Sequence, residues 1–256
     1  MDLRSVQACL PVAGPGAAAA FAAPGGFRGA LARSLDAARG AHSDADLLHW
    51  ITDRRTRADV RVRRVPLAGM AGWRHDGTAV TPEDGRSFEV VGVTVGTAGR
   101  EVDAWSQPVI RPLENSLVAF LVARIDGVLH VLAQALAEPG CSDVLELAPT
   151  VQCAPGEAEA PPGPGRPPFL DDVLTAEPDR VRYAATLSEE GGRLYHARGR
   201  YLIVETDPGG VREPPDFRWL TLRQFAALLP HSHYVNMQAR SLLACLYSLA
   251  GAPPTP

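Results

Sequence analysis

Apolar residues recur along this chain with two periods, and the change from one to the other divides it. Phe27, Leu31 and Leu35 mark one face of a helix over residues 27–39. Ser43 opens a second helical stretch, with Asp46 three residues on in the position of a capping box. Leu47, Leu48, Trp50 and Ile51 are expected to turn toward a core. From about Asp59 the period shortens to two. Val60, Val62 and Val65 interleave with arginines, the pattern of a half-buried strand, and Phe88–Val95 alternates in part. Leu117–Ala123 and Val128–Ala135 flank Asp126-Gly127, which predicts a hairpin. Val181–Leu187 and Tyr201–Glu205 read as further strands, and Glu189-Glu190-Gly191-Gly192 as a turn. Cys153–Pro168 is a Pro/Gly-rich surface loop. Phe169–Leu174 and Thr221–Leu229 read as helices, the second stopped by Pro230. Strands followed by segregated helices predict an α+β fold.

Composition narrows the function classes. The 256 residues are 46% apolar and 21% charged, the balance of a globular protein with a sizeable core. A net charge of -4 gives no reason to expect nucleic acid or an anionic membrane as partner. No apolar run reaches the roughly 18 residues of a spanning helix, and the start has no apolar core of signal-peptide type, so a cytoplasmic protein is expected. Cys9, Cys141, Cys153 and Cys245 lack metal-ligand spacing and read as reduced thiols. All 25 basic residues are Arg. The absence of Lys excludes a Schiff-base lysine, lysine-held pyridoxal phosphate and a Walker A loop. No GxGxxG follows a strand, and His231-Ser232-His233 is a lone pair with no third ligand in view. No cofactor and no metal are expected.

One internal echo bears on organisation. Met1–Leu10, MDLRSVQACL, matches Met237–Leu246, MQARSLLACL, at Met, Arg, Ser, Ala, Cys and Leu without a gap. Chance similarity of two amphipathic helices competes with duplication. On the duplication reading, residues 1–26 are the end of a preceding module plus an Ala/Gly/Pro linker. Residues 27–55 are then a helical linker, 56–250 the main module and 251–256 a disordered tail.

Each candidate residue has a structural reading and a chemical one. His130 is either a satisfied core histidine or a general acid/base. Glu138, before Pro139-Gly140, is a turn former or a base at a pocket mouth. Glu146, Thr150 and Gln152 would line one face of a strand, solvated or reading a ligand. In Ser188–Arg193 a plain turn competes with a phosphate contact by backbone N–H groups and Arg193. Tyr195, Arg198, Arg200 and Tyr201 extend a basic, aromatic strip suited to a nucleoside diphosphate.

A set of stretches in fixed order then narrows the choice. RTRADVRVRRVPL, FEVVGVTV, REVDAWSQPV, VAFLVARIDGVLHVLAQ, EPG, ELAPTVQC, PPFLDDVL, LSEEGGRLYHARGRYLIVE, RWLTL and YVNMQARSLLACL run from about Thr56 to Leu246. As a set they resemble the NDP-hexose 2,3-dehydratase family. The resemblance implies a Nudix-hydrolase-like mixed sheet flanked by helices, without the Nudix metal box. It implies a two-module chain of which this is mainly the second module. It also implies cofactor-free removal of the C2 hydroxyl from a nucleotide-linked 4-keto-6-deoxyhexose such as dTDP-4-keto-6-deoxyglucose, in deoxysugar biosynthesis. His130, Glu138 and Tyr201 are the expected catalytic residues. Gln107, Gln134, Thr150, Gln152, Glu189, Arg193, Tyr195 and Arg200 are expected around sugar and diphosphate. Trp105 would stack on the base or fill core. The partners implied are a first module or a second copy, and a downstream 3-ketoreductase. The alternative is a nucleotide-sugar-binding half without activity of its own.

Overall fold

The computed structural model describes residues 26–38, 40–99, 101–154, 157–159 and 165–251. The Met1–Leu10 echo, the linker to residue 25 and the tail from residue 252 lie outside them. Helix α1 (Phe27–Asp36) buries Phe27, Ala30, Leu31 and Ser34. Helix α2 (Asp44–Arg57) starts in the expected capping box: Ser43 Oγ accepts the Asp46 N–H (3.1 Å), and Asp46 Oδ2 accepts the Ser43 N–H (3.2 Å). Leu47, Trp50 and Ile51 are buried, but Leu48 is 45% exposed. One residue turns a helix by about 100°, which carries Leu48 off the face that its neighbours share.

Segment 58–66 is not the expected strand. Val60, Val62 and Val65 are all exposed, and no strand among the described residues bonds to it. Alternation makes a strand only where a ladder partner exists. A four-stranded antiparallel sheet follows: β1 (Trp73–His75), β2 (Ala79–Pro82), β3 (Phe88–Gly96) and β4 (Ala104–Pro112), in that order.

The larger sheet carries the core. Its strands are β5 (Ser116–Ile125), β6 (Val128–Leu136), β7 (Glu146–Ala148), β8 (Val151–Cys153), β9 (Val181–Ser188), β10 (Arg198–Glu205) and β11 (Phe217–Thr221). The main path runs β11-β6-β5-β10-β9. Only β5 and β10 pair in parallel, so the sheet is mixed. Asp126 and Gly127 join β5 to β6 with φ of 49° and 77°, the double left-handed turn that suits a twisted two-residue hairpin.

β5 and β6 stay paired only between the turn and Val122↔Val131. Beyond that point they part. β7 then pairs with β6 and β8 with β5. Thr150, fully buried, sits at the fork: its Oγ accepts the Leu121 N–H (2.9 Å) and donates to the Leu132 carbonyl. Leu121 and Leu132 are the next pair in register, so one hydroxyl satisfies groups that an unbroken ladder would have joined. The single strand expected to carry Glu146, Thr150 and Gln152 on one face is therefore two strands. Gln152 stands opposite Val118, whereas Glu146 stands opposite Leu136, on the other face.

Helices cover both faces. Val118, Phe120, Val131, Ala133, Tyr201 and Ile203 pack with α1, α2, α4 (Leu222–Leu228) and α5 (Met237–Gly251). Leu117, Ala119, Leu121, Leu132, Leu202 and Phe217 pack with α3 (Leu170–Leu174). This is the expected α+β class, with a mixed sheet between helices. Ser34 Oγ ties the first layer together, donating to the Leu129 carbonyl (2.5 Å) and accepting the Leu222 N–H (2.9 Å). Among the described residues, Cys141, Cys153 and Cys245 are free thiols, and no helix is long and apolar enough to cross a membrane.

Thr150→Val keeps the side chain's shape and removes its hydroxyl. Two buried backbone groups then lose their partner, at about 1–3 kcal/mol each. Urea unfolding should report a loss of about 2–4 kcal/mol with an unchanged slope. An unchanged midpoint would mean that the fork closes without the hydroxyl.

Candidate active site

Strand pairing gathers polar side chains at one end of the larger sheet, where β5 and β10 begin and β6 and β9 end. On the face covered by α5, Tyr201, Val118 and Gln152 stand side by side across β10, β5 and β8. At a strand spacing of about 4.8 Å, the Tyr201 and Gln152 backbones are roughly 10 Å apart. The Tyr201 phenol, 2% exposed, donates to Glu189 Oε1 at 2.9 Å. Burial, and then the Glu189 carboxylate, push the phenol's pKa well above its ordinary value. Gln152 Nε2 donates to Glu138 Oε1 at 2.9 Å, and Gln152 Oε1 accepts from Asn236 Nδ2 at 2.8 Å. Glu138 and Glu189 are both half-buried. Two carboxylates are thus each held through one oxygen by a neutral donor.

Gly199 makes room for the second carboxylate. A Cβ on it would stand 2.5 Å from Glu189 Oε1, 2.8 Å from Ser116 Oγ and 2.8 Å from Tyr201 Cε2. The Glu189 carboxylate therefore lies over the backbone at the start of β10, beside β5, and only a residue without a side chain fits beneath it.

A second polar group adjoins this one through the β9–β10 loop. Ile110 N–H donates to the Arg193 carbonyl, and Tyr195 N–H to the Ile110 carbonyl, each at 2.8 Å. These bonds dock the loop on β4. Trp105 Nε1 donates to Gln107 Oε1 at 2.7 Å, and Gln107 Nε2 donates to the Gly192 carbonyl. Arg193 is exposed and paired with Glu190; Tyr195 is 40% exposed, edge-on to the His196 ring at 4.2 Å.

Four expected site residues stand apart. His130 is 2% exposed: Nε2 accepts the Ala41 N–H and Nδ1 lies against the Val128 carbonyl, both at 3.0 Å. The amide can only donate, so Nε2 is the acceptor and Nδ1 carries the proton. Both nitrogens of a neutral ring are engaged, and Nδ1 serves the structure. Alternation on β6 puts His130 and Gln134 on the α3 side, opposite Tyr201 and Gln152. Arg200 pairs with Leu117 and faces the same way, exposed. Thr150 is taken up by the fork. Sequence reading missed Ser116, Gly199 and Asn236. Asn236 alone left a signal, as a capping residue type directly before a helix.

A groove of about 620 Å³ between α2 and segment 212–218 holds none of the candidates; its lining includes His42, His49, Trp50 and Glu213. Among the described residues, no group of three or more His, Cys, Asp or Glu could hold a metal ion.

A family model described as NDP-hexose 2,3-dehydratase matches residues 44–246. The chain belongs to the NDP-hexose 2,3-dehydratase family. It is 44% identical over 253 residues to a dTDP-4-dehydro-6-deoxy-alpha-D-glucopyranose 2,3-dehydratase of Amycolatopsis orientalis, covering 99% of this chain and 49% of that one. It is 44% identical over 254 residues to the protein so named in Saccharopolyspora spinosa, covering 97% of this chain and 52% of that one. The chain spans about half the length of the curated relatives it matches. Two solved structures show slighter likeness: an ADP compounds hydrolase (16% identity, TM-score 0.39, 67% of this chain and 91% of that one) and the Ap4A hydrolase of C. elegans (12%, 0.33, 56% and 99%). Within this 2,3-dehydratase family member, the family match includes every residue of both polar groups.

Two predictions follow from the packing. Gly199→Ala should break the Tyr201–Glu189 bond and cost about 1–3 kcal/mol through overpacking; thermal unfolding measures it. For His130, burial holds the imidazole below its ordinary pKa of 6.5. The unfolded chain then binds the proton more readily, so this contribution to stability is present above about pH 6.5 and declines as pH falls toward the lowered folded value. His130→Leu should flatten the stability–pH curve between pH 7 and 5.5, and an unaltered slope would show that His130 does not set it.

Proposed function

We propose that this chain is the acid–base module of a 2,3-dehydratase acting on a dTDP-linked 4-keto-6-deoxyhexose. The observation that carries this reading is the pair of half-buried carboxylates, Glu138 and Glu189, at one end of the sheet, each anchored through one oxygen. The names of the 44%-identical relatives support the substrate. The chemistry needs a base, an acid and donors for developing charge. The C4 ketone acidifies C3–H. A base takes that proton, and the electron pair forms a C3–C4 enolate. The enolate then expels the C2 hydroxyl, which leaves as water with a proton from the acid. The resulting enol ketonises to a 3,4-diketo-2,6-dideoxy sugar. One carboxylate takes a proton, the other gives one, and no redox partner is required.

On this reading Tyr201 orients Glu189 rather than meeting the sugar, because its ring is buried. Arg193 and the loop N–H groups suit the diphosphate, and Trp105, Gln107 and Tyr195 the nucleoside side. Ketonisation leaves an unstable diketone, which a 3-ketoreductase would consume. The chain's length, about half that of its relatives, favours one further part to the reading. A second module, a first module or another copy, completes the assembly. The exposed valines at 60, 62 and 65 are apolar surface available to it.

The test is turnover of dTDP-4-keto-6-deoxyglucose by the purified chain, coupled to a 3-ketoreductase and NADPH. Turnover is expected, with Glu138→Gln and Glu189→Gln each lowering kcat by about a hundredfold or more, while dTDP affinity stays within about threefold. Binding of dTDP without turnover would replace the acid–base module by a nucleotide-sugar-binding half.

A further inference from the structure

The two carboxylates are held by donors of different kinds. The Tyr201 hydroxyl can turn: it donates to an ionised Glu189 and accepts from a protonated one. The donor to Glu138 cannot reverse in this way. Ala239 N–H, in the first turn of α5, donates to Asn236 Oδ1 at 2.9 Å. A backbone amide only donates, so the Asn236 oxygen must face it and Nδ2 must face away. Nδ2 donates to Gln152 Oε1 (2.8 Å), which leaves Gln152 Nε2 as the end that reaches Glu138 Oε1 (2.9 Å). Asn236 is 4% exposed, and its backbone is held on β7 by Asn236 N–H donating to the Leu147 carbonyl at 3.0 Å. Flipping either amide would set oxygen against oxygen at one bond and N–H against N–H at another. The three donors point one way, from the helix end to the carboxylate, and such chains strengthen one another.

We infer that Asn236 is a positioning residue which, through Gln152, commits Glu138 to the role of base and leaves Glu189 as the acid. This rests on the dehydratase reading above. Oε1 of Glu138 always meets an N–H and never carries the proton, so Oε2 takes it from C3. Glu189 alternates between protonated and ionised forms, because its partner is a hydroxyl that serves both. It therefore gives the proton that accompanies the C2 oxygen.

The experiment separates the two half-reactions in D2O. Exchange of the substrate's C3 proton reports the base, and diketone formation reports the acid. Glu189→Gln is expected to retain C3 exchange while eliminating slowly; Glu138→Gln is expected to lose both. Asn236→Asp keeps the helix cap, since Asp caps as well as Asn, but it turns the donor into an acceptor. Gln152 must then reverse and present its oxygen to Glu138. C3 exchange and kcat should fall about tenfold or more, with KM within about threefold and the melting temperature nearly unchanged. The side-chain amide signals of Gln152 in the NMR spectrum should move in Asn236→Asp. Wild-type kcat in Asn236→Asp, unmoved Gln152 signals, or C3 exchange lost in Glu189→Gln and kept in Glu138→Gln would each overturn the assignment. A wild-type chain that neither exchanges nor eliminates would sink the dehydratase reading itself. The relay would then stand or fall on the Gln152 signals alone.

Discussion

The buried hydroxyl of Thr150 holds open the fork on which the site is built. Where β5 and β6 part, each loses a ladder neighbour, and the Leu121 N–H and Leu132 carbonyl would be stranded in the core without it. Opening the sheet has two consequences. β8 comes alongside β5, so Gln152 stands in one row with Val118 and Tyr201. β7 comes alongside β6 with its other edge free, and segment 234–236 bonds there: Leu147 N–H donates to the Tyr234 carbonyl, and Asn236 N–H to the Leu147 carbonyl. The start of α5 is thereby set against the same end of the sheet. A closed β5–β6 hairpin would carry neither Gln152 nor Asn236 to Glu138.

What could be read from the sequence follows the range of the interaction. The Asp126-Gly127 turn and the Ser43/Asp46 cap are decided within four residues, and both formed as expected. The α+β class followed from the order of periodic segments. The fork did not, because Glu146, Leu147, Thr150 and Gln152 alternate well enough for one strand, and only the competing demands of β5 and β6 divide them. Segment 58–66 failed for the opposite reason: its pattern is that of a strand, but no strand of the described fold pairs with it. Of the expected site residues, Glu138, Gln152, Glu189 and Tyr201 meet at the carboxylate end, and Trp105, Gln107, Arg193 and Tyr195 adjoin it. His130 and Thr150 are polar residues in apolar segments. From sequence alone, a polar residue with a buried partner looks the same as one poised for a ligand. Their partners, Ala41 and the Leu121–Leu132 pair, come from elsewhere in the chain.

The two polar groups differ in how firmly the fold holds them. Glu138, Gln152 and Asn236 lean on β7, β8 and the first turn of α5, and Tyr201 and Gly199 lie in the middle of the sheet. Displacing Asn236, Tyr201 or Gly199 disturbs buried packing, which resists movement of even one methyl group. Arg193 and Tyr195 are exposed, on a loop tied to β4 by two backbone bonds and one amide. Proton transfer loses much of its rate when the reacting atoms are about 1 Å out of place, whereas a diphosphate is gripped by charge at longer range and tolerates more. The rigid part of the molecule is therefore where the proposed proton transfers need it. On the proposed reading, the looser part is where a nucleotide enters and leaves, and where a second module adds contacts without disturbing the carboxylates.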